Sequence, residues 1–507
     1  MRLDNAETAK DATASGRHVL LIVLAVYFAV NVIVRMMLPH SLELDEAEQS
    51  YFSQWLLAGY SSQPPFYNWL QYGTVQIFGL SLATLSLLKN LLLFGSYLFY
   101  WLAARQILRD RQLAVVAALG LLTIPQVAFE AQRDLSHTVA TIFAASLFLY
   151  ALFKALNRPS IGSFLLLGIA TGIGGIAKYN FIVLPAAAFL ALASDPDRRR
   201  RLLDWRLLIA GAVALLIILP HALWLTEHFG VTSSHTMRKL LGDDINFILA
   251  IFEGLGSLAL AVLGFGTLTV IIFAAVYRER LRDVIRARND RTRLVGRILL
   301  FSLGFIVLLI LFAGVERVRD RWLTPILLVL PLYLTVKVDA AAIELQPGLK
   351  RMWGVALVIM VLIPSILFGR FAAAPITGKY QYSHHPFQAF SDEIRPLTAS
   401  VPTLIVASDG QLAGNLRFNL PSTPVRTTST PTDIHALPMP PYRRILFVWR
   451  NSDGSMPSGF PEKFTQYLQE RGIAGSVPQA RITALPYNYG QPDDRYRFAY
   501  ALVEVTP

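Results

Sequence analysis

The chain lacks cysteine altogether. That excludes structural disulfides, thiolate metal sites and thiol nucleophiles. It is also poor in charge. Only 16% of its 507 residues are Asp, Glu, Lys or Arg, against about 25% in soluble domains. A soluble globule of this length needs a large polar surface, and this composition does not supply one. Lys and Arg are missing from residues 39–72, a gap that returns below. What the chain has in quantity is apolar sequence. Its hydrophobic fraction is 54% and its mean hydropathy +0.46, which points to many membrane spans.

A helix needs about 20 apolar residues to cross a bilayer core. Eleven runs are candidates: 18–38, 83–104, 112–129, 136–153, 160–177, 179–194, 207–224, 248–277, 298–314, 323–336 and 352–369. The sixth and tenth are short, and the eighth is long enough to tilt or bend. The first is too long for a signal-peptide core and lacks a small-residue cleavage site, so it reads as an uncleaved anchor.

The connecting loops alternate in charge. Loops 105–111, 154–159, 195–206, 278–297 and 337–351 hold 21 basic and 9 acidic residues, a net of +12 that equals the excess of the whole chain. The opposite loops hold only 7 basic residues. The positive-inside rule makes the first set cytoplasmic. The N-terminus is then inside and, after eleven spans, the C-terminus outside. A basic excess facing anionic headgroups is no sign of nucleic acid.

Residues 370–507 are a different kind of chain, with more proline and polar residues and no run able to span. Strand-like segments stand at 403–407, 445–449 and 496–504, and a helical pattern covers 461–471. Residues 421–441, rich in Pro, Ser and Thr, read as a loop. The expected organisation is a disordered cytoplasmic tail at 1–17, a transmembrane domain at 18–369 with a first outer loop at 39–82, and a small α/β domain on the outer face at 370–507.

That first outer loop is too long for a simple helix connection. It carries Glu43, Asp45, Glu46 and Glu48. Ala47, Tyr51, Trp55 and Ala58 recur at helical spacing, as do Phe66, Trp69, Leu70, Gly73 and Ile77. Both patterns predict amphipathic helices lying on the membrane surface. Pro64-Pro65 stands where a helix tolerates proline, at its start. The plain reading of Asp45 and Glu46 is as first-turn residues of the first helix, where acids are favoured. That reading is compatible with a chemical one, because a cap fixes where a carboxylate points.

The stretch LELDEAEQSYFSQWLLAGY followed by QPPFYNWLQ resembles the first outer loop of GT-C glycosyltransferases that use polyprenyl-phosphate sugars. These include protein O-mannosyltransferases, lipid A aminoarabinose transferases and rhizobial lipopolysaccharide galacturonosyltransferases. Asp45-Glu46 and Gln63-Pro64-Pro65 match the family pattern. Aminoarabinose transferases usually have Lys before Pro-Pro, so Gln63 turns the resemblance toward the galacturonosyl or hexosyl branch. The resemblance implies an α-helical polytopic membrane protein of GT-C type, with about eleven transmembrane helices plus interfacial helices and a small C-terminal α/β extracytoplasmic domain.

Other charges sit at outer mouths, where charge at membrane depth defaults to a functional hypothesis. Glu130, Arg133 and Asp134 join the third and fourth runs. Asp134 matches a second family acid that orients the acceptor or assists the base; the alternative is a cap on the next helix, with Arg133 as its ion-pair partner. Lys178-Tyr179 resembles a family pair that meets the donor phosphate; the alternative is a lysine snorkelling to the interface. The glycines of 171–175 read as close-packing positions. Glu316-Arg317-Val318-Arg319-Asp320-Arg321 breaks the positive-inside trend. Arg319 and Arg321 are read as lipid-phosphate ligands, because guanidinium forks fit phosphate oxygens; the alternative is an internal salt-bridge cluster with Glu316 and Asp320. His221, His228, His235, Arg238, Lys239, Asp243 and Asp244 lie around 225–247 without tight ligand spacing, so no metal set is assigned and a divalent metal stays a minor option.

The implied chemistry is inverting transfer of a sugar from a polyprenyl-phosphate donor to an outer-face lipid or glycan acceptor, lipopolysaccharide core or lipid A being preferred. Asp45 would be the general base, with Asp134 assisting. Glu46, Gln63, Arg133, Lys178, Tyr179, Arg319 and Arg321 would bind substrate. The expected place is a bacterial inner membrane. The rivals are a transporter or flippase of lipid-linked sugars, a protein O-mannosyltransferase-like enzyme, and a structural membrane protein with an outer interaction domain. Paired halves, which many transporters show, are not seen.

Overall fold

The computed structural model describes residues 2–60, 63–240, 247–428, 441–457, 459–473 and 478–505, with side chains described from His18 and not for 229–240. Among these, eight helices are long and apolar enough to cross a membrane: His18–Met37, Leu82–Ile107, Ser136–Asn157, Arg206–His228, Phe247–Val276, Asp290–Ala313, Thr324–Ala341 and Gln346–Ala372. The other three apolar runs are helical but not simple spans. Leu113–Thr123 and Gln126–Arg133 form a pair bent by 76°. Its break follows from Pro125, which forces Ile124 out of the helical region (φ −93°, ψ 112°), and the chain restarts as a π turn over Gln126–Glu130. Ile161–Ala177 and Tyr179–Ala193 are shorter, separated by Lys178 in extended geometry. The tail read as disordered is instead helical, since the first helix runs Arg2–Met37.

By contacts the chain divides into two compact units. The first contains Met1–Asn31, Leu57–Tyr67 and Lys89–Ile363; the second contains Val32–Leu56, Asn68–Leu88 and Pro364–Pro507. The sequence places its boundary at 369/370. The observed grouping puts most of the first outer loop with the C-terminal segment.

In the first unit Ser136–Asn157 is the most enclosed span, with 78% of its apolar window buried, whereas Arg206–His228 has 17% buried and exposes Leu208, Leu215 and Leu216. Those exposed side chains are a surface for lipid. Ile161–Ala177 packs against the Arg206–Leu240 helix. A Cβ on Gly168 would lie 2.5 Å from the Ala210 carbonyl oxygen, and one on Gly172 would lie 2.8 Å from the Ile217 side chain. These glycines therefore set the helix spacing. The basic loops are knitted together at one end. Asp339 accepts from the Arg109 and Asp110 amides, each at 3.1 Å, and pairs with Arg291. Asp195 pairs with Arg198 and Arg297.

The second unit holds a five-stranded sheet: β1 (Thr403–Ala407), β2 (Val425–Thr427), β3 (Arg444–Trp449), β4 (Arg481–Pro486) and β5 (Arg495–Glu504), in the order β2-β1-β3-β5-β4. β1 runs parallel to β2 and β3, while β5 is antiparallel to β3 and β4. One face packs Leu404, Val406, Phe447 and Trp449 against Phe464 and Tyr467 of the Glu462–Gln469 helix. The Phe387–Ala399 and Gly410–Asn419 helices pack against β1 as well. Burying each large apolar side chain contributes roughly 1.5–3 kcal/mol.

The Leu44–Phe52 helix of the first outer loop belongs to this unit and packs on the Gly410–Asn419 helix. Its apolar face is therefore taken up by protein, where a membrane-surface helix was expected. It also ends earlier than the pattern through Ala58 implies. Ser53 closes it, and Trp55 lies beyond, with the Arg426 guanidinium 4.4 Å from its ring centre. The two helices touch backbone to backbone. A Cβ on Gly414 would stand 2.0 Å from the Ala47 carbonyl oxygen. Around that contact the Leu42 amide donates to Asn415 Oδ1 at 2.8 Å, and Ser50 Oγ donates to the Gly414 carbonyl at 2.9 Å.

Replacing Gly414 by Leu is expected to cost about 1–3 kcal/mol by overpacking. It should lower the melting temperature of the detergent-purified protein and open residues 39–56 to limited proteolysis; an unchanged melt and cleavage pattern would count against the contact. A second expectation concerns acid. Burial, then the Arg450 charge, pushes His385 down from 6.5 to about 3. The folded imidazole thus refuses a proton that the unfolded chain accepts. The stability it contributes is complete above about pH 6.5 and is lost as pH falls toward 3. Melting temperature should fall across that window, and His385→Gln should flatten the slope.

Candidate active site

Asp45 stands in the first turn of the Leu44–Phe52 helix, half-buried. Its neighbour Glu46 is buried and bound by Arg35, with Nε to Oε1 at 3.0 Å and Nη2 to Oε2 at 2.8 Å. Arg35 also donates to the carbonyls of Pro39 and Ser41 at 3.2 and 3.0 Å, and Glu46 accepts from the Glu43 amide at 3.3 Å. One fork thus staples the end of the first span to the start of the helix. A buried, paired carboxylate of this kind is a structural fixture, so the geometry gives Glu46 a positioning task where the sequence reading made it a substrate ligand. The helix start is tied from its other side by Ser41 Oγ, which donates to the His385 carbonyl at 2.7 Å.

The remaining sequence-derived residues lie in the first unit, and hydrogen bonds join their loops. Lys178 Nζ donates to Thr138 Oγ1 at 2.9 Å. Asn180 Nδ2 donates to the Trp322 carbonyl at 2.7 Å. Gln126 Nε2 donates to Asp320 Oδ2 at 2.8 Å. The Lys178-Tyr179 turn, the Arg319–Arg321 segment and the bent helix pair are thereby gathered into one mouth. The Gln63 amide donates to the Tyr60 carbonyl at 3.3 Å, ahead of buried Pro64 and Pro65. The Phe66–Phe78 helix follows directly.

Among the described residues Arg317, Arg319 and Arg321 form no ion pair, because Asp320 is taken by Gln126 and by the Arg321 amide. Arg317 and Arg319 are exposed and Arg321 half-buried. The segment is held by its backbone instead, the Val318 amide donating to Ser257 Oγ at 2.9 Å. The salt-bridge alternative with Glu316 and Asp320 is not what forms.

Arg133 pairs with Glu130 at 2.5 Å, so Asp134 is not its ion-pair partner as the capping alternative had it. Asp134 does not hold the N-cap position of the next helix. The residue before Ser136–Asn157 is Leu135, at φ 70° and ψ 48°. A branched apolar residue in the left-handed region is strained, and such strain tends to collect at functional sites. Asp134 itself is buried.

Two features of this mouth escape sequence reading. Tyr179 OH meets His221 Nε2 at 3.0 Å, and His221 Nδ1 meets the Ala58 carbonyl at 2.9 Å. The rings of Tyr179, His221, Trp224 and His228 then stack in a column, with successive centroids 5.9, 5.7 and 4.5 Å apart. The spacing of His221, Trp224 and His228 on one helix face was a signal; the partner Tyr179, 42 residues earlier, was not. Among the described residues no group of three His, Asp or Glu side chains is placed to hold a metal ion. His235, Arg238, Lys239, Asp243 and Asp244 lie outside what is described.

Residues 62–224 match the family model described as dolichyl-phosphate-mannose-protein mannosyltransferase. The chain is 45% identical to the lipopolysaccharide core galacturonosyltransferase RgtB of Rhizobium johnstonii, over 95% of this chain and 96% of that one. It is 44% identical to RgtA of the same organism, a second lipopolysaccharide core galacturonosyltransferase, over the same shares. In fold it is similar to ArnT from Cupriavidus metallidurans in the apo state, with a TM-score of 0.61 at 14% identity, covering 96% of this chain and 98% of that one. The same protein bound to undecaprenyl phosphate gives a TM-score of 0.57. A GT-C membrane fold, a sheet-bearing C-terminal segment and identity along nearly the whole length converge: the chain belongs to the family of rhizobial lipopolysaccharide core galacturonosyltransferases and is a GT-C glycosyltransferase.

Proposed function

We propose that this enzyme transfers a galacturonic acid residue from a polyprenyl-phosphate-linked donor to the core of lipopolysaccharide, at the outer face of a bacterial inner membrane. The observation that carries it is the 45% identity over 95% of the chain to a lipopolysaccharide core galacturonosyltransferase. The arginine-rich mouth supports the donor class. Lipid-linked donors leave a phosphate behind, and Arg319, Arg321 and Lys178 are suited to its developing charge. Tyr179, held by His221, and Arg133 would contact the donor sugar, with Gln63 at the same mouth. Asp45 is the general base that takes the acceptor hydroxyl proton, and Asp134 orients the acceptor. A single displacement with no covalent nucleophile inverts the anomeric centre. The basic loops face the cytoplasm and the segment 370–507 the periplasm, in keeping with the charge asymmetry.

Asp45→Asn is expected to lower kcat by about 10²–10⁴-fold with membrane abundance unchanged. Mass spectrometry of the lipopolysaccharide core from a deletion strain carrying the variant reads this directly; full galacturonic acid content would sink the base assignment. Arg321→Ala should lower kcat/KM for the donor at least about tenfold, the scale of one charged hydrogen bond, and Arg321→Lys should restore only part. Equal turnover in all three proteins would remove Arg321 from the donor site.

A further inference from the structure

The C-terminal sheet has a switch point. After β1 the chain leaves through the Gly410–Asn419 helix to β2 on one side. After β3 it leaves toward the β5-β4 side. In sheets with parallel strands, the crevice outside the carboxyl ends where connections diverge is where ligands bind. Here that crevice is a cleft of about 700 Å³, floored by Ser408 and Asp409 after β1 and by Arg450 and Asn451 after β3.

Its chemistry narrows the ligand. Arg450 is buried, and its fork is fully used by Asp409 (3.1 and 3.3 Å), Gln411 Oε1 (2.8 Å) and Tyr496 OH (2.9 Å). Burial would raise the Asp409 carboxyl, but the Arg450 charge and hydrogen bonds hold it below its ordinary value. The pair is therefore charged and self-compensated. The other lining charges, Lys463 and Asp453, are exposed and opposite in sign. A balanced lining is no trap for a bare phosphate. Nor is it a seat for an acyl chain, because Ser408, Gln411, Asn451, Ser452 and Ser455 make the lining polar, and hydrogen bonds from Asn451 Nδ2 to Ser455 Oγ, from Ser455 Oγ to Asp453 and from Ser408 Oγ to Asp409 fix where their oxygens stand. Tyr382 and Leu44 supply the apolar patches. Many fixed donors and acceptors beside one aromatic face match a polyhydroxylated ring.

We infer that this cleft is a saccharide subsite that holds sugar units of the acceptor glycan. The inference rests on the proposed transfer to a glycan and says where that glycan is gripped. Leu44, which lines the cleft, directly precedes Asp45. Gln411, which accepts from Arg450, also donates to the Leu42 carbonyl at 3.3 Å. A sugar in the cleft thus rests against the start of the helix that carries the base.

The test is calorimetric titration of the full-length protein in nanodiscs with delipidated core oligosaccharide from a strain lacking core galacturonic acid. The wild type should bind at millimolar concentration or below. Ser452→Trp, which fills the cleft from an exposed position, should weaken binding and raise KM for the acceptor at least about tenfold (about 1.4 kcal/mol), with KM for the donor unchanged. Asp453→Asn, a smaller change, should weaken both in the same sense, and a melt of each variant confirms folding. Asp45→Asn should bind the oligosaccharide like wild type while failing to transfer. Oligosaccharide binding that Ser452→Trp and Asp453→Asn leave intact would overturn the cleft, as would no binding by the wild type. Cleft-dependent binding in a protein that transfers no galacturonic acid would keep the subsite and overturn the transfer reading.

Discussion

The close approach of two backbones, Ala47 over Gly414, is the constraint on which the second unit of this protein depends. With no side chain at 414 the Leu44–Phe52 helix can lie directly on the Gly410–Asn419 helix. The Leu42 amide then reaches Asn415, and Ser50 reaches the Gly414 carbonyl. A side-chain-mediated contact would leave those polar groups buried and unpaired, at about 1–3 kcal/mol each. Arg35 completes the arrangement by binding Glu46 with both arms of its fork. A short helix of 9 residues would be marginal alone. Stapled at one end and docked along one face, it becomes a rigid carrier for Asp45. The C-terminal segment in this way holds the helix that carries Asp45, although every candidate catalytic residue precedes it in the chain.

The two groups of charge obey different physics. At the basic end, carboxylates such as Asp339 and Asp195 are each shared among several donors, so the loops bind one another and display their surplus outward. At the other mouth the loops are joined by neutral donors, Gln126 and Asn180, and among the described residues the Arg317, Arg319 and Arg321 guanidinium groups take no part in ion pairs. Arginines are hard to retain on that face without a job. In the proposed reaction, a phosphate to be held while its glycosidic bond breaks would provide one.

Much of this was legible in the sequence because the bilayer and the sheet impose strict patterns. All eleven apolar runs are helical, and β1, β3 and β5 fall within a residue of their expected positions. What escaped did so for identifiable reasons. β2 has three residues and β4 is the sheet's exposed edge, so neither has the apolar run that marks a strand. The amphipathic pattern of residues 47–58 was real, but amphipathicity does not say whether the partner is lipid or protein. The kink at Ile124-Pro125 was written in the proline. The 76° bend was not, because its size depends on packing. Among the candidate residues, Asp45 and the arginines of 317–321 are named by motif and charge placement alone. The Arg35–Glu46 staple and the Tyr179–His221 contact join residues with no common periodicity, and only the folded chain brings them together.

The contrast between a cationic mouth and a neutral cleft also bears on how such an enzyme tells its two substrates apart. A lipid-linked donor and a glycan acceptor both present sugar hydroxyls, so hydroxyl recognition alone cannot sort them. Charge can. The donor carries a phosphate at the bond to be broken, and the guanidinium groups proposed for its site would favour it by an electrostatic term that grows as the leaving group gains charge. A lining whose charges cancel offers no such term and ranks ligands by how well fixed donors and acceptors fit a ring.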